Sequence, residues 1–303
     1  MTLEDRLRQA LLEDFGAAGD LTSQALVPER KRVRADVLVK ADGVLCGLGL
    51  AAQVFSLSAQ RAAQRARGRN PSVGASRVGF EAFREDGERV RNGEVVATVE
   101  GGARALLAAE RLALNLLCHL SGIATKTAQY VAKVAHTRAK IVDTRKTTPL
   151  WRDLEKYAVR CGGGENQRLG LYDMILIKDN HLALWGAKDP AGAVRMAKKK
   201  FSGVAVQIEV VNLPGLRQAC RFSAPEMILL DNFSVSDLRR AVLWCEKHYM
   251  PGGAGRPRPL LEASGRVNLR SVAAIAESGV DRISVGALTH SVEALDISLE
   301  FRA

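Results

Sequence analysis

Cysteine is scarce and poorly spaced for structural use: Cys46, Cys118, Cys161, Cys220 and Cys245 are an odd number, and none forms a CxxC pair. That spacing argues against a disulfide framework and against a zinc site, and leaves reduced, mostly buried thiols as the expectation. No run approaches the ~20 consecutive apolar residues of a membrane-spanning helix. The opening MTLEDRLRQALLEDF carries acids and bases at helical spacing, where a secretory signal has an apolar centre. A cytoplasmic protein without a membrane partner is therefore expected. Aromatic residues are also missing from the two basic runs, so neither run reads as a single-strand nucleic-acid platform.

What is present is ordinary globular material: 303 residues, 47% hydrophobic and 25% charged, enough for two domains. The net charge of +11 invites a nucleic-acid reading, because clustered Lys and Arg bind phosphate backbones whatever the fold. Part of the excess lies in Arg61, Arg65, Arg67 and Arg69, and part in Lys198 to Lys200; both runs read as solvated surface, with no nucleic-acid partner.

Residues 3 to 15 place Leu3, Leu7, Ala10, Leu11 and Phe15 on one helical face, ending near Gly16. Alternation over Val33 to Val39 predicts a half-buried strand that breaks at Asp42-Gly43, and a helix is expected from about Leu50 to Ala66. Arg61 to Gly79 reads as an extended loop region, most clearly from Gly68, followed by strands joined at the Asp86-Gly87 and Asn92-Gly93 turns. A long helix from Ala105 towards His136, interrupted near Ser121-Gly122, is expected to link this small α+β domain to the rest.

Beyond it, short apolar runs alternate with helical segments: Ile141 to Val142, Met174 to Ile177, Val204 to Val210, Met227 to Leu230, Leu260 to Leu261 and Ile283 to Val285. Strand alternating with helix predicts a parallel sheet. Each strand runs into reactive or small polar residues: Asp143 to Lys146, Lys178, Glu209, Asp231, Glu262 with Ser264-Gly265, and Gly286. Polar groups arriving from every strand at one rim favour a barrel over an open doubly wound sheet, incomplete because six strands are fewer than eight. Arg145, Lys146, Arg168 and Lys178 would then place four cations around one cavity, which calls for a polyanion.

The motifs EDFGAAGDLTSQALVP, ERLALNLLCHLSGIAT, DTRKTTPLWRDLEKYAV, GGGENQRLGLYDMILIKDNH, ILLDNF, LEASGRVNL and ISVGALTHS run in order over nearly the whole chain. In them the sequence resembles the quinolinate phosphoribosyltransferase family of NAD synthesis. The resemblance implies a small N-terminal α/β sandwich domain, 1–115, with the tail 291–303 packing back on it. It also implies an irregular, incomplete (β/α) barrel of about six to seven strands over 116–290.

It implies a magnesium-dependent reaction of quinolinate with phosphoribosyl pyrophosphate, giving nicotinate mononucleotide, pyrophosphate and carbon dioxide in a homodimer or higher oligomer. By the same resemblance Arg145, Arg168 and Lys178 hold the quinolinate carboxylates, with Thr144, Lys146 and Gln167 nearby and Arg111 reaching in from the partner subunit. Glu209 and Asp231 take magnesium or the ribose hydroxyls and, with Lys146, act in catalysis; Ser264, Gly265, Gly286 and His290 take the 5-phosphate. His181 has a supporting role.

Two departures stand out. Gln167 occupies a place where the family usually has histidine, which keeps hydrogen bonding but removes a group able to become cationic. Arg266 stands where a glycine commonly follows Ser-Gly. Three other readings remain to be weighed: a related phosphoribosyltransferase for another pyridine or aromatic carboxylate, a Schiff-base aldolase using Lys178, and a basic nucleic-acid-binding protein.

Overall fold

Leu7, Leu11 and Phe15 recur every four residues and are buried, which turns the first segment into helix α1 (Leu3–Phe15). Its start is fixed locally: Thr2 Oγ1 accepts from the Asp5 amide at 3.2 Å, while Asp5 Oδ2 accepts from the Thr2 amide at 2.8 Å. The computed structural model describes residues 1–69, 78–186, 189–221, 224–249 and 257–302. They form two compact units, Met1–Thr125 with Val292–Ala303, and Lys126–Ser291.

In the first unit α1 is followed by α2 (Leu21–Leu26), β1 (Arg32–Val39), β2 (Gly43–Val44), α3 (Leu48–Arg69), β3 (Gly79–Ala82), β4 (Arg89–Val90) and β5 (Val95–Gly102). Helix α4 (Ala103–Val134) then runs across the boundary at Thr125. Between Ala35 and Val39 alternate residues of β1 are buried, and the strand pairs antiparallel with β5 on one side. On the other side it pairs with β12 (Ile297–Phe301), Val37 opposite Leu299, in a sheet ordered β12-β1-β5-β3.

Several expectations change here. The turns at Asp86-Gly87 and Asn92-Gly93 do not join successive partners, because β3 pairs with β5 while β4 pairs with β2. Helix α3 continues to Arg69, so Arg61 to Arg69 is helical; residues 70–77 of the expected loop lie outside the described residues. Arg61 is not plain solvated surface either, since its guanidinium lies 5.0 Å from the Phe15 ring centroid.

Helix α4 passes through Ser121-Gly122 without interruption. A Cβ on Gly122 would meet Glu293 O at 2.3 Å, so this glycine makes room for the C-terminal segment instead of breaking the helix. By length and composition α4 is apolar enough to cross a bilayer, yet half of its most apolar stretch is buried inside the protein, as in a core helix.

The second unit carries β6 (Lys140–Val142), α5 (Arg152–Cys161), β7 (Ile175–Ile177), α6 (Asp179–Trp185), α7 (Pro190–Lys200), β8 (Val206–Val210), α8 (Leu213–Ala219) and β9 (Met227–Asp231). It continues with α9 (Val235–His248), β10 (Leu260–Ser264), α10 (Val272–Ala276), β11 (Arg282–Ser284) and α11 (Ala287–His290). Met227 to Leu230 are all buried, as in a strand covered on both faces. The sheet order is β6-β11-β10-β9-β8-β7, all parallel.

Each new strand from β7 to β11 adds on the same side, and the last pairs with the first, β6. That is barrel order, without the reversal of a doubly wound sheet, and it opens between β6 and β7. At this gap a single bridge joins Val142 to Glu165. In α7, Lys198 is tied to Glu226 Oε1 at 2.6 Å and to Ala224 O at 2.8 Å, so only part of that basic run is solvated.

Candidate active site

The end of β6 delivers Asp143, Thr144, Arg145 and Lys146, and the stretch between α5 and β7 delivers Asn166, Gln167 and Arg168. Asp143 draws the two together. It is fully buried, and its carboxylate accepts from Lys156 Nζ on α5, from the Gln167 amide at 2.9 Å and from Asn166 Nδ2 at 2.5 Å. Burial pushes the Asp143 carboxyl up and the Lys156 ammonium down, and in each case the partner's charge opposes the shift.

Arg145 and Arg168 emerge from these two segments, and the Nε atom of each is buried without a hydrogen-bond partner. Burial lowers the pKa of Arg168, and the Arg145 charge lowers it further, which places the two guanidiniums within electrostatic reach of each other. Arg168 also donates to Met174 O at 3.3 Å. A doubly anionic ligand would satisfy both forks and cancel their repulsion.

Lys178 follows β7 at the N-cap of α6, where its amide donates to His181 Nδ1 at 2.9 Å. Its Nζ lies 3.3 Å from Glu209 Oε2, near the end of the adjacent strand β8. Asp231 closes β9 in register with Ser264, which closes β10. Asn232 joins them: its amide donates to Ser264 O at 2.8 Å and its side chain to Asp231 Oδ2 at 2.8 Å.

Gly265 is required beside them. Its φ is +96°, and a Cβ would meet Asn232 Oδ1 at 2.3 Å. Arg266 follows at φ 50°, the left-handed region that glycine tolerates best, at a cost of about 1–2 kcal/mol for a side-chain-bearing residue. Gly286 leads into α11 with the His290 ring 3.1 Å and Lys146 Cδ 3.2 Å from the position a Cβ would take. Thr289 Oγ1 donates to Lys146 O at 2.7 Å and fastens this loop to the end of β6. Thr144 is half-buried and accepts the Lys146 amide at 3.1 Å. Arg111 belongs to the first unit, exposed on α4.

Gln167 is less open than a ligand-facing residue would be. It is buried, and its side-chain amide donates to Glu262 Oε1 at 2.6 Å inside the barrel. Glu262, expected among the strand-end polar groups, is fully buried one turn of the pleat earlier, in register with Arg282 on β11. Burial raises its pKa against the opposing pull of Arg282 and Gln167. Lys156 and Arg282 were not among the sequence candidates. The available signal for Lys156 was a lysine placed with Ala158 and Val159 on the buried side of α5.

An incomplete parallel barrel with two arginines, a lysine and carboxylates following its strands has the charge to suit multiply anionic ligands. Family models agree with this class: "Quinolinate phosphoribosyl transferase, N-terminal domain" matches residues 20–121 and the C-terminal domain matches 123–300. The chain is 42% identical over 301 residues to the nicotinate-nucleotide pyrophosphorylase (carboxylating) of Mycobacterium leprae, covering 98% of this chain and 96% of that protein. It is 38% identical over 301 residues to the probable enzyme of the same name from Bacillus subtilis, covering 99% and 93%. The solved nicotinate-nucleotide pyrophosphorylase from Francisella tularensis superposes with a TM-score of 0.85 at 35% identity, covering 100% of this chain and 98% of that one. The chain belongs to the quinolinate phosphoribosyl transferase family.

Proposed function

We propose that this protein transfers the phosphoribosyl group of phosphoribosyl pyrophosphate to quinolinate and releases carbon dioxide, forming nicotinate mononucleotide and pyrophosphate. The observation that carries the substrate reading is the pair Arg145 and Arg168, two half-buried guanidiniums whose buried Nε atoms have no hydrogen-bond partner and whose charges act on each other. Two planar forks suit the two carboxylates of a pyridine dicarboxylate better than one. Lys178, from the end of β7, would add a compact charge to this set, and Arg111 from a second copy of the chain would complete the clamp in a homodimer.

The pyridine nitrogen attacks the anomeric carbon as the bond to pyrophosphate breaks, and positive charge develops on the ribose. Glu209 and Asp231 stabilise that charge from the strand ends, and orientation supplies much of the remaining rate. The alkylated ring nitrogen is cationic and stabilises the electron pair left on the adjacent carbon when that carbon's carboxylate departs as carbon dioxide, and a proton then adds to the carbon. Arg145 and Arg168 must hold that carboxylate without favouring the ground state over the transition state. An aldolase role for Lys178 gains nothing from the structure, because its Nζ is paired with Glu209 and the neighbouring arginines would have no task.

Glu209 and Asp231 fit magnesium, since each is a hard carboxylate donor at the end of its strand, and each has one oxygen outside its ion pair or hydrogen bond. When bound, the ion would neutralise the departing pyrophosphate. Ser264, Gly265, Gly286 and His290 receive the 5-phosphate, with Lys146 beside them. The test is product analysis after mixing the protein with quinolinate, phosphoribosyl pyrophosphate and magnesium. Equal amounts of pyrophosphate, carbon dioxide and nicotinate mononucleotide are expected; a folded protein yielding none of them refutes the proposal.

A further inference from the structure

Asp143 and Lys156 are both fully buried, and a buried ion pair is seldom retained for stability, since well-packed apolar residues often serve as well or better. What the pair holds is informative. Asp143 takes the Gln167 amide at 2.9 Å and Asn166 Nδ2 at 2.5 Å, while Lys156 Nζ donates to Gln167 O at 3.0 Å. Asn166 Nδ2 also donates to Lys156 O at 2.9 Å, and Arg282 reaches Asn166 O at 3.1 Å. Beneath them Glu165 and Ile141 bond through their backbones at 2.8 Å.

Most of the polar links at residues 165 to 167 therefore run to the end of β6 or to Lys156, which is bonded there; the others are Arg160 on Asn166 Oδ1 at 2.6 Å, Arg282 on Asn166 O and Gln167 Nε2 on Glu262. The residues that follow directly are Thr144-Arg145 on one side and Arg168 on the other. Left on independent loops, two guanidiniums would move apart to relieve their repulsion. The fastening prevents this.

We propose that Asp143 and Lys156 form a positioning pair that presets the spacing of Arg145 and Arg168, and thereby selects a ligand with two carboxylates over a ligand with one. This rests on the reading that those arginines hold a pyridine dicarboxylate. The pair stays outside the chemistry and acts through the two arginines.

The test uses the full-length protein with Asp143→Asn and Lys156→Met combined, so that no single charge is left buried alone. Initial rates are measured with both substrates, binding of quinolinate and of nicotinate by calorimetry, and amide exchange at Gln167 and Arg168. The expected result is a rise of about tenfold or more in the quinolinate KM with the donor KM changed by less than about twofold, because displacement of one fork disrupts only the ligand it holds. The preference for quinolinate over nicotinate falls, and exchange at residues 167 and 168 accelerates.

Asn166→Ala removes one strut and guards against a folding failure of the double variant; a smaller change in the same direction is expected. Unchanged selectivity, or equal rises in both KM values in a folded variant, overturns the proposal. If the wild-type protein binds no pyridine dicarboxylate, the substrate reading fails separately. Amide exchange still judges the pair: unaltered exchange in the variants rejects it.

Discussion

Gln167 donates its side-chain amide to Glu262 at 2.6 Å inside the barrel, one residue before the arginine assigned to the substrate carboxylates. A neutral amide meets a buried acid at the base of the site. Histidine in that place titrates near pH 6.5 when unperturbed, whereas glutamine does not titrate. Gln167→His is expected to introduce a pH dependence into the quinolinate KM between about pH 6 and 8 while leaving that of the donor unchanged. KM profiles for both substrates check this; parallel profiles for wild type and variant would contradict it.

Glu262 supplies a second test, on stability. Its folded pKa is raised by burial above the unfolded value. For a raised carboxyl, the contribution to stability is complete below the unfolded pKa of about 4.3 and is lost as pH rises through the folded pKa. Glu262→Gln has no proton to lose, so its denaturant midpoint should change less than that of wild type from about pH 4 upwards. Superimposable pH profiles would show that Glu262 does not titrate as the burial implies.

Arg111 can be tested by subunit mixing. If it completes the partner's site, Arg111→Ala and Arg168→Ala are each nearly inactive, but a mixed dimer holds one intact site. Random exchange of equal amounts should restore about one quarter of wild-type activity, since half the dimers are mixed and each has one site of two. Activity that stays at the level of the separate variants after confirmed exchange rules out a shared site.

Gly122 lies in the interior of α4, where alanine would ordinarily gain about 1 kcal/mol of helix propensity. Its missing Cβ would approach Glu293 O to 2.3 Å and Ala294 Cα to 3.0 Å, both backbone atoms. Overpacking of this kind costs about 1–3 kcal/mol or more. Gly122→Ala should therefore lower the thermal midpoint by a few degrees, and a calorimetric scan showing a rise would refute the close approach.

Features with local causes were legible before the fold. Thr2, the spacing of Leu7, Leu11 and Phe15, and Gly16 define α1 without help from distant residues. The strands of the barrel were equally legible as apolar runs, and Arg145, Lys178, Glu209 and Asp231 could be placed at or just past their ends, with Arg168 in the connection before β7. The break expected at Ser121-Gly122 was misread because glycine there answers to Glu293, a residue far along the chain. Arg61 read as surface because its partner, the Phe15 ring, is brought to it only by packing.

The sequence by itself determined most of the elements that form and which polar residues follow the barrel strands, since periodicity, capping and strand-end polarity act over a few residues. Tertiary structure decided that the barrel stays open between β6 and β7, that Gln167 turns inward to Glu262, and that Lys156 meets Asp143. Those outcomes depend on which buried polar group lies within hydrogen-bond reach of which other. Leaving a buried charge unpaired is costly, and only the folded chain supplies its partner.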